Sequence, residues 1–331
     1  MHIWMYGLVW LTVCLLSGCA VTKKAGEQMA HLTNQMKGEY YLQHGEYREG
    51  IATLKKALTC HPGDANLHYH LGRFYLALDK ISPAYQYFHQ ASDIDPSKAD
   101  YYFWLGVAYG ELGWLIKERQ AYRVGLKLDP DHPQALIYLG NNLLRNEEYQ
   151  AALDMYQRAL NQDPTNAQTL YNRAYVIDKL GRTPEAITAW KIYLTNYPKG
   201  QFARRAVHHL NYHGNYEYRV YLIGKRRLVI PRIGFYPLTA RIEPATEASL
   251  DPIGQILVNN PKLVLQILAY QQNNLSLAKA RALQMKHGLL DRYPGIAAPR
   301  IRASWFKVPQ KLSIGDRTHR LDSSIHLFTT Q

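Results

Sequence analysis

Between His31 and Pro198 apolar residues recur in blocks 34 residues apart, and the phase never slips. Each block closes on a proline: Pro62, Pro96, Pro130, Pro164 and Pro198. Upstream of the prolines lie the pairs Leu54 and Ala57, Phe88 and Ala91, Tyr122 and Gly125, Tyr156 and Ala159, Trp190 and Tyr193. A spacing of three sets both members of a pair on one helix face. The first halves of the second to fourth blocks carry Leu71-Gly72 with Tyr75, Leu105-Gly106 with Tyr109, and Leu139-Gly140 with Leu143. The pattern predicts two antiparallel helices per block, brought close by the small residues and stopped by the proline. A single helical hairpin cannot bury its apolar face, so successive blocks must stack.

After Pro198 the 34-residue phase ends. Gln201 to His213 reads as a terminal helix covering the last block, with residues 201–217 as cap and linker. From residue 218 the period changes toward strands: Val220–Ile223, Leu228–Ile233, then a helix over Ala245–Val258. The apolar run Leu263–Ala269 reads as a central buried strand, Asn274–Tyr293 as an amphipathic helix, and Arg300–Val308 and Ser324–Thr329 as strands. The expected architecture is an all-α array of five repeats over residues 31–200, then a small α+β domain over 218–331 with the order β-α-β-α-β-β.

Five blocks in one register resemble the tetratricopeptide family, whose arrays form solenoids with a groove for another polypeptide. That resemblance implies groove positions at the fifth and ninth residues of each first helix: Tyr69 and Arg73, Phe103 and Val107, Ile137 and Asn141, Tyr171 and Tyr175, with Arg145 nearby. Aromatics at helical spacing also serve as inter-helix packing, and both fates stand open for these residues. The two-carboxylate clamp of chaperone-binding relatives is absent from the sequence.

The C-terminal stretch resembles the peptidoglycan-associating OmpA-like domain in Asn274, Leu277, Ala278, Arg281 and Ala282, with weaker echoes at Arg300-Ile301 and Arg320-Leu321-Asp322. In that family the arginine matched by Arg281 and an aspartate ending the central strand grip the peptide stem. Here the strand ends Ala269-Tyr270-Gln271-Gln272, without the acid. A neutral amide replaces a charge-assisted bond only in part. Asn274 and Arg281 are accordingly candidates for contact with the wall or with another carboxylate, and a solvated helix face is the other fate open to Arg281.

Charge sharpens the division. The net charge is +13, and residues 201–331 hold 19 Lys/Arg against 7 Asp/Glu, so nearly all the excess is C-terminal. Such a balance suits an anionic partner or simply solubility. At the other end, residues 1–18 read as a signal peptide with the apolar run Ile3–Leu16, too short to span a bilayer comfortably. The ending Leu16-Ser17-Gly18-Cys19 resembles a bacterial lipoprotein signal, which implies acylation of Cys19, a polar tether over residues 19–30, and an outer-membrane address facing the periplasm. The two-residue start Met1-His2 lacks the usual basic residue, so a misplaced start or an uncleaved anchor is the alternative. Cys60 would remain as the lone thiol.

No nucleophile elbow, HExxH helix, paired metal-spaced cysteines or phosphate loop occurs, which argues against an enzyme, a cofactor or a metal site. His208, His209 and His213 are the only histidine cluster, with positions five apart poorly placed to share a helix face, and Lys225-Arg226-Arg227 is a short basic run that suits phosphates or guards a strand edge against pairing. With export, nucleic acid is not the expected partner. The expected function is a lipid-anchored scaffold whose groove holds a protein of a secretion, pilus or wall-synthesis assembly. The alternatives are a peptidoglycan anchor and a regulatory subunit of a wall enzyme.

Overall fold

The computed structural model describes residue 33 and residues 35–330. It divides into two compact units between Asp163 and Pro164. The first holds helix α1 (residues 35–44), α2 (Tyr47–Cys60), α3 (Ala65–Ala77), α4 (Ile81–Ile94), α5 (Ala99–Glu111), α6 (Leu115–Leu128), α7 (Pro133–Arg145) and α8 (Tyr149–Gln162). The second begins with α9 (Ala167–Lys179), α10 (Thr183–Asn196) and α11 (Gly200–Tyr212).

The 34-residue period has a physical origin at each turn. Where a first helix passes to a second, one residue is left-handed: Gly45, Asp79, Gly113, Glu147 and Gly181, with φ between 57° and 75°. The following amide closes back across the turn each time, Lys80 to the Tyr75 carbonyl, Trp114 to Tyr109, Glu148 to Leu143, at 2.9 Å. This caps the helix carbonyls that would otherwise lack partners. Second helices stop because a residue before proline is driven out of the helical region; Asp95 and Asp129 are extended at ψ 91° and 95°.

The repeated spacing of glycine and aromatic reflects one contact made three times. Phe88, Tyr122 and Tyr156, each fully buried, lie flat over Gly72, Gly106 and Gly140. A Cβ added at Gly106 would stand 2.4 Å from Tyr122, so the helices could not keep this separation with any other residue.

Beyond α11 come β1 (Tyr218–Ile223), β2 (Arg226–Pro231), a short helix α12 (Pro244–Glu247), α13 (Asp251–Asn259), β3 (Val264–Gln271), α14 (Leu275–Arg292), β4 (Ile301–Phe306), β5 (Gln310–Ile314), β6 (Arg317–Leu321) and β7 (Ser323–Thr330). Five strands form one sheet in the order β2-β1-β7-β3-β4, and β5-β6 is a separate hairpin. The expected central strand is central: β3 runs antiparallel to β7 and parallel to β4. Its alternate residues Leu265, Ile267 and Ala269 join Ile325 and Leu327 in a core closed by Ala278, Ala282, Met285 and Leu289 of α14 and by Ile253 and Leu257 of α13.

Two details differ from the sequence reading. The helix expected over 245–258 is broken into α12, a 3₁₀ turn and α13, because Pro252 is admitted only in a helix's first turn and restarts it there. The hairpin β5-β6 is additional to the expected order. Its turn holds Gly315 at φ 59°, and its strands are so largely exposed that apolar periodicity does not mark them. Among the described residues no helix is long and apolar enough to cross a membrane.

Candidate functional site

On the first helices of the first unit, the expected groove residues separate into two groups. Tyr69 and Phe103 are 9% and 4% exposed and turn inward, Tyr69 against Tyr101 and Phe103 against Tyr122. Arg73, Val107, Ile137 and Asn141 remain partly accessible. Arg73 donates to the Tyr69 hydroxyl at 2.7 Å, and its guanidinium lies 4.1 Å from the centre of the Trp104 ring. Asn141 accepts from Tyr156 at 2.8 Å.

The sequence reading missed Trp104 and Tyr138, which follow the fifth position by one residue in consecutive repeats. Both are partly exposed, Tyr138 at 39%, and Tyr138 stands edge-on to the buried Phe103. The available signal was an aromatic doublet, Phe103-Trp104, in which one ring must face in and the next out. The resulting surface carries Arg73, Trp104, Val107, Ile137, Tyr138 and Asn141.

Arg145 has a structural partner. Its Nη2 donates to both oxygens of Glu118 at 2.6 Å, and the Glu118 side chain is only 4% exposed. Asn142 donates to the same carboxylate at 2.8 Å and accepts from Arg119, which in turn meets Glu148. The network fixes α6 to α7 and leaves no carboxylate oxygen of Glu118 unbonded.

In the second unit Tyr171 is enclosed by Trp190, Tyr193 and Phe202 at 5.0 to 5.4 Å between ring centres. Tyr175 opens onto a cleft of about 260 Å³ with Asp178, Lys179, His208, His209 and Tyr212. His209 on α11 and His213 at its C-cap, four apart, each reach one oxygen of Asp178 at 2.6 Å. Burial pushes the Asp178 carboxyl up, but the two imidazole hydrogen bonds outweigh it and hold it below its ordinary value. Among the described residues no His/Cys/Asp/Glu group has the arrangement of a metal site.

The C-terminal candidates also part company. Asn274 caps α14 by accepting from the Leu277 amide at 2.9 Å, so its oxygen serves the helix and not a ligand. Arg281 is 7% exposed. It donates to Gln271 at 2.7 Å, to Ser323 at 2.5 Å and to the Thr239 carbonyl at 2.8 Å, and lies over the Phe235 ring. No carboxylate pairs with it among the described residues. Burial and the nearby Arg232 lower its pKa from the ordinary value, and both line a cavity of about 110 Å³ with Phe235 and Ser323. Cys19 and the apolar run before it lie outside the described residues; Cys60 is exposed.

Family profiles described as "Tetratricopeptide repeat" match residues 41–103, 99–132 and 137–200. Residues 41–132 and 137–200 are tetratricopeptide repeats. Over 121 residues this chain is 30% identical to Superkiller complex protein 3 of Mus musculus, covering 37% of the chain and 8% of that protein. It is 28% identical over 112 residues to BBSome complex member BBS4 of Mus musculus, covering 34% of the chain and 22% of that protein. The match thus spans less than a quarter of the length of each. The solved structure of pilF of Pseudomonas aeruginosa superposes with a TM-score of 0.51 at 18% identity, over 57% of this chain and 85% of that one. At that identity the likeness is one of fold: stacked tetratricopeptide hairpins.

Proposed function

We propose that this chain is a non-enzymatic scaffold of a bacterial envelope, held on the outer membrane by acylation of Cys19, and that its tetratricopeptide surface binds a polypeptide of an envelope assembly. The carrying observation is the partly exposed row of Arg73, Trp104, Val107, Ile137, Tyr138 and Asn141 on first helices of successive repeats. Aromatic and arginine side chains dominate binding energy at protein interfaces. Arg73 is already held by Tyr69 and Trp104, so little side-chain freedom is lost on binding. The test is affinity capture from crosslinked cells with Trp104→Ala/Tyr138→Ala. Loss of a specific protein at unchanged helical circular dichroism supports the reading, and capture equal to wild type overturns it.

A second reading, a wall anchor, draws on Arg281. The two positions that the OmpA-like resemblance pairs, 271 and 281, do meet, but through an amide. If that pair suffices for a peptide stem, the full chain should pellet with purified sacculi in 1 M salt, where the Debye length is about 3 Å, and Arg281→Ala should release it.

A further inference from the structure

Among the described residues the sheet has an open edge at β2, where β1 is the one strand neighbour. The parity of its bonding follows from one contact: the Arg232 amide donates to the Glu217 carbonyl at 2.7 Å. In an antiparallel pair hydrogen-bonded residues alternate with those whose peptide groups point away. Arg226, Leu228 and Ile230 therefore bond to their partners Ile223, Tyr221 and Arg219, while Arg227 and Val229 turn N–H and C=O to the open side. No group among the described residues meets those four.

A cleft of about 590 Å³ lies against this strand and touches every residue from Arg226 to Pro231. Side chains of a strand alternate between faces, so a cleft that meets six in succession runs along the edge and not over one face. Pro198, Lys199 and Gly200 line it as well, together with Ala248, Ser249 and Pro252. The walls are mainly apolar, whereas Lys199, Arg226 and Arg227 bring three cations, none with a carboxylate in ion-pair range among the described residues.

We propose that the β2 edge takes an extended, acidic segment of a partner protein as an added strand. The Arg227 and Val229 peptide groups would supply four main-chain hydrogen bonds, the cleft would seat alternate apolar side chains, and the three cations would meet acidic ones. Six residues at about 3.3 Å each make an edge of about 20 Å, enough for a segment of five or six residues. A second copy of this chain is disfavoured, because its edge bears the same cations and Pro231 has no N–H to offer. This site is separate from the tetratricopeptide surface.

The test uses the full chain and the capped peptide Ac-Glu-Val-Thr-Val-Glu-Leu-Asp-amide, followed by fluorescence anisotropy and by amide hydrogen exchange resolved to single residues. Saturating peptide should slow exchange at Arg227 and Val229 by about tenfold or more. N-methylation of alternate peptide amides, and separately Arg227→Glu, should each weaken binding about tenfold or more; Lys in place of the peptide's Glu residues should restore binding to Arg227→Glu. Trp104→Ala/Tyr138→Ala should leave this binding unchanged, so the two sites fail independently. The proposal is overturned by no binding up to about 1 mM, by binding that leaves Arg227 and Val229 unprotected, or by equal binding of the N-methylated peptide. A dimer in sedimentation equilibrium whose two amides are protected without peptide would assign the edge to a second copy instead.

Discussion

In the repeats Glu118 has both oxygens on Arg145, and Asp178 divides its two oxygens between His209 and His213. In the C-terminal domain Arg219 on β1 and Arg281 on α14 are nearly as deeply buried as Glu118, yet among the described residues they meet only neutral groups. Arg219 reaches Gln310 at 3.3 Å and leaves its Nη1 without a partner. A buried carboxylate whose oxygens are already taken by partners of the same fold has little left to offer a ligand, and removing one of those partners is costly. A buried cation met by amides and hydroxyls keeps its attraction for an anion that arrives from outside. The contrast explains why the C-terminal domain, with 19 basic against 7 acidic residues beyond position 200, is the part of the molecule suited to acidic partners.

Packing in the repeats should be the least forgiving feature. Tyr122→Ala removes a fully buried ring from above Gly106, and urea unfolding should show a loss of about 4 kcal/mol. Gly106→Ala should also destabilise, and Tyr122→Leu in the same chain should recover part of that loss, since the two residues share one space. Additive losses would mean that the ring and the glycine do not share it.

Acid should expose a second feature of the repeats. His70 is 1% exposed, has neither ring nitrogen hydrogen-bonded, and stands 4.0 Å from Glu39, too far for a hydrogen bond. Burial, and then Arg73, push its pKa down from 6.5 to about 4, against a smaller opposite pull from Asp64. The unfolded chain therefore binds the proton first. Stability is complete above pH 6.5 and falls as the pH drops from 6.5 to about 4, by on the order of 3 kcal/mol. His70→Phe should flatten that interval, and an unchanged slope would assign it to other groups.

A matched pair of substitutions sets the two regions side by side. Arg145→Ala leaves the buried Glu118 with Asn142 alone and should cost about 2 kcal/mol, less than a fully buried pair because Arg145 is half exposed. Arg281→Met should change stability by less than about 1 kcal/mol, because the cation it removes has no counter-charge. Equal losses would erase the contrast. The smallest effect is expected at Glu147, left-handed at φ 60° where three other repeats have glycine. Glu147→Gly should stabilise by about 0.5 kcal/mol, the strain relieved exceeding the added freedom of the unfolded chain.

The repeats were legible because the contacts that set their period, from the Tyr75–Lys80 turn bond to Tyr122 over Gly106, join residues close in the chain and recur. The left-handed turn residues were not legible, because Asp79 and Glu147 hide a position that glycine marks elsewhere. In the C-terminal domain β3 announced itself by an unbroken apolar run, but β2 pairs with β1 and lines its cleft with residues 198–200 and 248–252, which no local pattern connects. Of the two fates open to the fifth-position aromatics, Tyr69 and Phe103 take the packing one, while Trp104, next to Phe103, and Tyr138, next to the partly accessible Ile137, show outward. Arg145 looked free for a ligand because Glu118, 27 residues earlier, gives no sign of burial in the sequence.

The assignment of partner binding to the tetratricopeptide surface is tested most directly by light-induced crosslinking in living cells, with the benzophenone amino acid p-benzoylphenylalanine placed at position 138 in one strain and at position 103 in another. Tyr138 is partly exposed, whereas Phe103, edge-on to its ring, is buried. The expected result is a discrete crosslinked protein from position 138 and none from position 103. No adduct at 138, in a chain that folds and is captured with its partner, would contradict it.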